Sequence, residues 1–316
     1  MSTNHLNEST DYKASGASNA WLVYALLTIV LWGVWGATIA VPEGNNFPAE
    51  LGYIMWALSM LIPSSFSLKK VGWKLDVSLE AVLYGAVIGF LGGVGQLILY
   101  SGAIANGPAY LIFPIIALSP VVTIVLSFIF LKERVGKMGG AGIVIALVAI
   151  PFLNYSDGSG TTNNSAWLIY AILVFLAWGI QGFYLKQANN RVSAESIFFY
   201  MALTSLMLAP VAWFMTEQPL QANWGLDGAA LAFGIGLLNA FGALFLVYAF
   251  RHGKAILVSP MVNCLPPIVT SLLSLVILQV LPTTYAAVGM VLAIISAFLL
   301  VMGEETADLP SKDPLK

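Results

Sequence analysis

The sequence predicts an all-α polytopic membrane protein whose ten transmembrane helices form two inverted five-helix repeats. Three observations predict it. The 316-residue chain is 59% hydrophobic and only 9% charged, with a mean hydropathy of +0.87; an ordinary soluble domain is roughly 45–50% apolar and about 25% charged. Its apolar residues gather into ten runs of about 20 residues, enough at roughly 1.5 Å per residue to cross a hydrocarbon core of about 30 Å. And one apolar phrase is written twice: "WLVYALLTIVLWGVWG" (Trp21–Gly36) returns 146 residues later as "WLIYAILVFLAWGIQG" (Trp167–Gly182), with eight identities.

The first run, Trp21–Val41, follows a polar tail, residues 1–20, whose only basic residue is Lys13. It is too long for the core of a secretory leader and recurs internally, so a permanent helix is expected. Ala49–Leu68 opens with Glu50 and stops at Lys69-Lys70, and Ala81–Ala105 is crowded with glycines (Gly85, Gly89, Gly92, Gly93, Gly95). "GGVGQ" within it lacks the lysine of a phosphate loop and lies in an apolar span, so close helix packing explains it. Ala109–Leu131 carries Pro114 and Pro120, and Met138–Asn154 is again rich in glycine at its start. A linker, residues 155–165, separates this first repeat (21–154) from the second (166–303).

The second set of runs is Ala166–Gln187, Glu195–Thr216, Gly228–Phe250, Ala255–Val280 and Tyr285–Gly303, followed by a short tail, residues 304–316. Self-similarity extends well beyond the opening phrase. Ala49-Glu50 matches Ala194-Glu195, Gly89 and Gly95 match Gly236 and Gly242, Pro114 matches Pro260, and "LSPVVT" (Leu118–Thr123) matches "LPPIVT" (Leu265–Thr270). Five crossings per copy is an odd number, so the second copy is expected upside down relative to the first. Glu50 and Glu195 begin matched helices, where a carboxylate favours the positive end of the helix.

Charge sets the expected orientation. Numbered alternately, one set of connections and tails holds all 13 Lys and Arg residues, and the other set (42–48, 106–108, 155–165, 217–227 and 281–284) holds none. Basic residues mark the cytoplasmic side, so both termini are expected in the cytoplasm and the linker 155–165 outside, in a plasma or bacterial inner membrane. The single cysteine, Cys264, lies within a run, which rules out an intrachain disulfide.

A family resemblance rests on particular residues. Five-plus-five runs, a Trp-Gly pair in the first helix of each half (Trp32-Gly33, Trp178-Gly179) and "FLKERVGKMGGAGIVIALVAI" (Phe130–Ile150) resemble the EamA-like branch of the drug/metabolite transporter superfamily, from about Trp21 to Gly303. The resemblance implies a ten-helix bundle of two inverted halves around a central cavity, moving small metabolites by alternating access. Its pattern often places a Glu at the end of the fourth helix of each half. Glu133 fits, whereas Val280 stands at the second place.

No Asp, Glu, Lys or Arg falls in the central third of any run. Charges there cost about 2.5–3.5 kcal/mol each on insertion scales and mark ion relays or charged substrates. Their absence argues against a cation exchanger built on a buried Glu, against strongly anionic cargo and against a membrane-embedded enzyme. No metal, cofactor or nucleic-acid partner is expected, and the partners are a small molecule and the lipid bilayer.

The site should therefore be neutral, polar and aromatic. Trp32 and Trp178 sit at mid-helix, where they either wall a cavity or pack over glycines of a facing helix. Trp35, one turn on from Trp32, has Gln181 as its counterpart. Polar residues present in one copy only are candidates for reading an asymmetric cargo: Gln96 (against Ala243), Asn239 (against Gly92), Asn263 (against Ala117) and Gln181 (against Trp35). A buried amide needs a partner, whether helix, water or cargo. Tyr100 lies one turn beyond Gln96, and Pro114 and Pro260 are candidate gate hinges or plain kinks. The function expected is secondary transport of a small neutral or zwitterionic metabolite, with efflux of an amino acid or drug-like compound first and sugar or nucleoside uptake as the alternative. A channel or membrane enzyme is the reading from other classes. Cargo, direction, coupling ion and oligomeric state are left open.

Overall fold

The computed structural model describes residues 20–39, 41–99, 101, 116–153, 166–266, 268–269, 272–273 and 283–307, and these are helical without any strand among them. In chain order the main helices are α1 (Ala20–Thr38), α2 (Ala49–Lys70), α3 (Leu79–Ile98), α4 (Pro120–Leu131) and α5 (Lys137–Leu153). They continue with α6 (Ala166–Asn189), α7 (Ala194–Met215), α8 (Leu226–His252), α9 (Ala255–Cys264) and α10 (Thr284–Ala307). Six of them, α1, α2, α3, α6, α7 and α8, are long and apolar enough to cross a membrane; α4, α5, α9 and the stretch Ala287–Leu300 of α10 are shorter apolar helices. The fourth and ninth predicted runs are described only in part, since 109–115 and 274–280 lie outside the described residues, as do most of both tails and the linker 155–165. α10 runs past Gly303 to Ala307.

Local sequence explains the helix ends and breaks. Ser78 accepts the N–H of Ala81 at 3.2 Å, and Ser193 that of Ser196 at 3.3 Å, capping α3 and α7. Basic residues occupy the last turns of α2 (Lys69, Lys70), α6 (Lys186) and α8 (Arg251, His252), where the negative helix end favours them. α2 breaks at Met60 and α7 at Leu208. Each break falls just before a proline, Pro63 and Pro210, whose missing N–H and ring clash disturb the preceding turn.

Small residues decide which helices meet. α3 lies against α7 because Gly85 and Gly89 leave no side chain to hold off Tyr200 and Met201. α8 packs against both α1 and α2, α6 against α3 and α4, and α9 against α1, α4 and α5. α5 and α10 pair closely, with the Ser296 hydroxyl donating to Gly142 O at 2.8 Å. The main core joins α1, α2, α3, α6, α7, α8 and α9, through residues such as Ala25, Tyr53, Ile88, Leu185, Ile197, Leu244 and Val258. The periphery is apolar too: Phe66, Phe90, Phe128, Phe130, Ile169, Phe214 and Phe298 are all exposed. Water would penalise such a surface, whereas lipid tails accept it.

Candidate binding cavity

Within the bundle lies a cavity of about 460 Å³, the size of a small-molecule site. Its walls come from α1 (Trp32, Trp35), α2 (Trp56), α3 (Gln96), the start of α4 (Ser119), α6 (Trp178, Gln181), α7 (Met201, Ser205), α8 (Asn239) and α9 (Ser259, Asn263). No ionisable side chain lines it among the described residues. Seven of the eight residues singled out from sequence (Trp32, Trp35, Gln96, Trp178, Gln181, Asn239 and Asn263) border this one space. Tyr100 and Pro114 lie outside the described residues, and Pro260 is buried inside α9.

The two mid-helix tryptophans make the same pair of contacts. Trp32 covers Gly242 of α8 and its indole N–H donates to Asn239 O at 3.3 Å; Trp178 covers Gly95 of α3 and donates to Gly92 O at 3.4 Å. Only glycine admits the rings so close: a Cβ at Gly242 or Gly95 would fall inside van der Waals contact of the indole. So each ring both packs over a facing glycine and walls the cavity. Their neighbours follow suit, with Gly33 set against Val269 and Pro266 O of the chain after α9, and Gly179 against Val122 and Ser119 O of α4.

Each amide has found a protein partner. Trp56 donates its indole N–H to Asn239 Oδ1 at 2.7 Å, Gln181 Nε2 donates to Ile88 O at 3.1 Å, and Asn263 Nδ2 donates to Ser259 O at 2.8 Å. Asn239 and Gln96 are buried. Sequence reasoning missed Trp56, Met201 and the serines. Trp56 and Met201 stand at matched places in the two copies, 145 residues apart, and both line the cavity. The one-copy-only comparison, confined to amides and the Trp35–Gln181 pair, passed over this pair.

The acids have structural work outside the cavity. Glu133 receives the N–H groups of Ala255 and Ile256 on Oε1 and Oε2 at 3.1 and 3.0 Å, closing the N-terminus of α9. Glu195 accepts from Tyr248 at 2.8 Å. Around them, Lys186 donates to Phe250 O and Gly253 O at the end of α8, while Arg251 donates to Asn189 O and Val192 O at the end of α6. Tyr24 stacks on Tyr248 and His252, and Lys70 lies over the Tyr248 ring. The helix ends that carry these basic residues thus meet at one end of the bundle. At the other, Asn45, Asn46, Asn223 and Asp227 bond among themselves in segments free of Lys and Arg.

Apolar helices enclosing an uncharged cavity beneath a lipid-compatible surface define a multi-pass membrane protein with an internal small-molecule-sized cavity. The comparison with family models identifies which kind. The chain belongs to the EamA-like transporter family, whose model matches twice, over residues 19–155 and 165–302. It is 24% identical to the pseudopaline exporter CntI of Pseudomonas aeruginosa over 245 residues, covering 75% of this chain and 81% of that one. Protein LicB of Haemophilus influenzae is 24% identical over 208 residues, 59% of this chain and 70% of that one. The probable magnesium transporter NIPA7 of Arabidopsis thaliana is 29% identical over 182 residues, covering 50% and 54% respectively. A solved crystal structure 18% identical to the chain shares its fold with a TM-score of 0.74, over 91% of this chain and 99% of that one.

Proposed function

We propose that this protein is a secondary transporter that carries a small neutral or zwitterionic metabolite through the membrane by alternating access, the cargo resting in the cavity between two halves. In this reading the halves are residues 21–154 and 166–303, ten helices in all, inverted relative to each other, with both termini in the cytoplasm. The observation that carries it is the uncharged, tryptophan-walled cavity, to which both halves contribute matched elements: Trp32 over Gly242 and Trp178 over Gly95. Matched packing supports the repeat, since α1–α8 mirrors α6–α3, α2–α8 mirrors α7–α3, and α1–α9 mirrors α6–α4. The gathering of Lys70, Lys186 and Arg251 at one end supports the orientation.

Efflux of an amino acid or drug-like compound is the first choice, favoured by an exporter among the relatives; sugar or nucleoside uptake is the alternative, and an aromatic uncharged wall suits it as well. Thermal-shift screening of the purified protein against neutral amino acids, nucleosides and sugars identifies the cargo, because a ligand bound only by the folded state raises the midpoint. Proteoliposomes loaded with the hit should then show saturable uptake and counterflow. Flux that rises without saturation would mean a channel. Replacing Gln96, Gln181, Asn239 and Asn263 one at a time by Leu tests the amides; unchanged uptake in all four, at equal membrane insertion, would remove them from the site.

A further inference from the structure

An asparagine or glutamine amide has two ends of opposite chemistry, and which end faces where is read from its partners. In this cavity the partners decide three of them. An indole N–H can only donate, so the Asn239 atom 2.7 Å from Trp56 Nε1 is the carbonyl Oδ1. A backbone carbonyl can only accept, so the atoms against Ile88 O and Ser259 O are Gln181 Nε2 and Asn263 Nδ2. Gln181 and Asn263 each keep the carbonyl oxygen and one N–H, whereas Asn239 keeps both N–H of its NH₂ group. Asn239 is 7% exposed and lines the cavity, and its Nδ2 has no hydrogen-bond partner among the described residues, yet it is not sealed from space. The cavity serines decide nothing here, because a hydroxyl turns to suit either role.

We propose that Asn239 determines specificity as a hydrogen-bond donor to the cargo: Trp56 holds its amide so that Nδ2 offers its N–H groups to an acceptor oxygen. This rests on the transporter reading of the cavity. The cargo that fits carries an oxygen acceptor for that group. Trp56 is the positioning residue, acting through Asn239.

Asn239→Asp separates the two ends. It keeps an oxygen for Trp56 and puts an oxygen where the NH₂ was, so the fold is retained while the group facing the cargo changes. Ionised, that carboxylate only accepts; protonated, it donates an O–H. The experiment is thermal-shift titration of wild type and N239D with L-phenylalanine, uridine and D-glucose as probes, between about pH 5 and pH 8.

For a probe that binds wild type, affinity for wild type should stay level with pH. Affinity for N239D should fall by about tenfold or more as pH rises and the O–H donor is lost, or be lost throughout if the carboxyl is ionised over the whole range. Trp56→Phe frees the amide to turn, and the binding-competent share should drop about twofold or more; this arm serves if N239D does not fold. Binding by W56F equal to wild type overturns the donor assignment and leaves the transporter standing, whatever N239D shows. If none of the three probes shifts wild type, the cavity reading fails for these classes and the assignment falls with it.

Discussion

Replacing Gly242 by alanine tests the packing that builds the cavity wall. The added Cβ falls inside contact with Trp32 Cδ1 and Nε1, where carbon pairs prefer about 3.5–4.0 Å, so the ring has to retreat by about 1 Å. Its N–H bond to Asn239 O is already 3.3 Å long and does not survive that retreat. Nor is the backbone free to yield, because the Thr28 hydroxyl donates to Gly242 O at 3.1 Å. Overpacking costs about 1–3 kcal/mol and the lost hydrogen bond about 1 kcal/mol, offset by up to about 1 kcal/mol from the better helix propensity of alanine. The net expectation is a loss of about 1–3 kcal/mol. Equilibrium unfolding in mixed micelles, followed by tryptophan fluorescence, measures it. In a Trp32→Ala background the obstacle is gone and the same substitution should become neutral or stabilising by up to about 1 kcal/mol. If Gly242→Ala matches or exceeds wild-type stability with Trp32 in place, the ring-over-glycine account is wrong.

The matched change, Gly95→Ala beneath Trp178, should cost a similar amount in the same assay. Glu133→Ala should lose about 1–2 kcal/mol by uncapping α9, with Glu133→Gln in between because one acceptor oxygen remains; equal stability of all three would deny the cap. Lys186→Met removes donors at 2.6 and 3.1 Å from the last carbonyls of α8, and tryptic cleavage after Arg251 should accelerate relative to wild type. Cys264, the sole cysteine, is buried 3.7 Å from Ala146 O, so maleimide should label it slowly in the folded protein and quickly once detergent unfolds it.

The membrane class was legible because hydropathy is a sum along the chain: apolar runs free of charge in their central thirds leave no other solvent for these helices. Which residues to examine was legible too, from comparing the copies. Mid-span position marks Trp32 and Trp178 in the sequence, and a mismatch between halves marks Asn239 and Gln181. Glu133 was visible only as half of an expected pair. Its task, binding the first N–H groups of a helix 122 residues on, depends on where α9 begins in space.

By itself, then, the chain determined a multi-pass helical protein of the EamA-like family and a short roster of polar and aromatic residues inside its spans. Only the tertiary structure decided that Trp56 and Asn239, 183 residues apart, share a hydrogen bond, and so which end of that amide is left for a cargo. Hydropathy and periodicity are local and add up residue by residue. Helix pairing turns on close approach at glycines such as Gly242 and Gly95, and many glycines in the sequence offer that approach equally until the whole bundle selects among them.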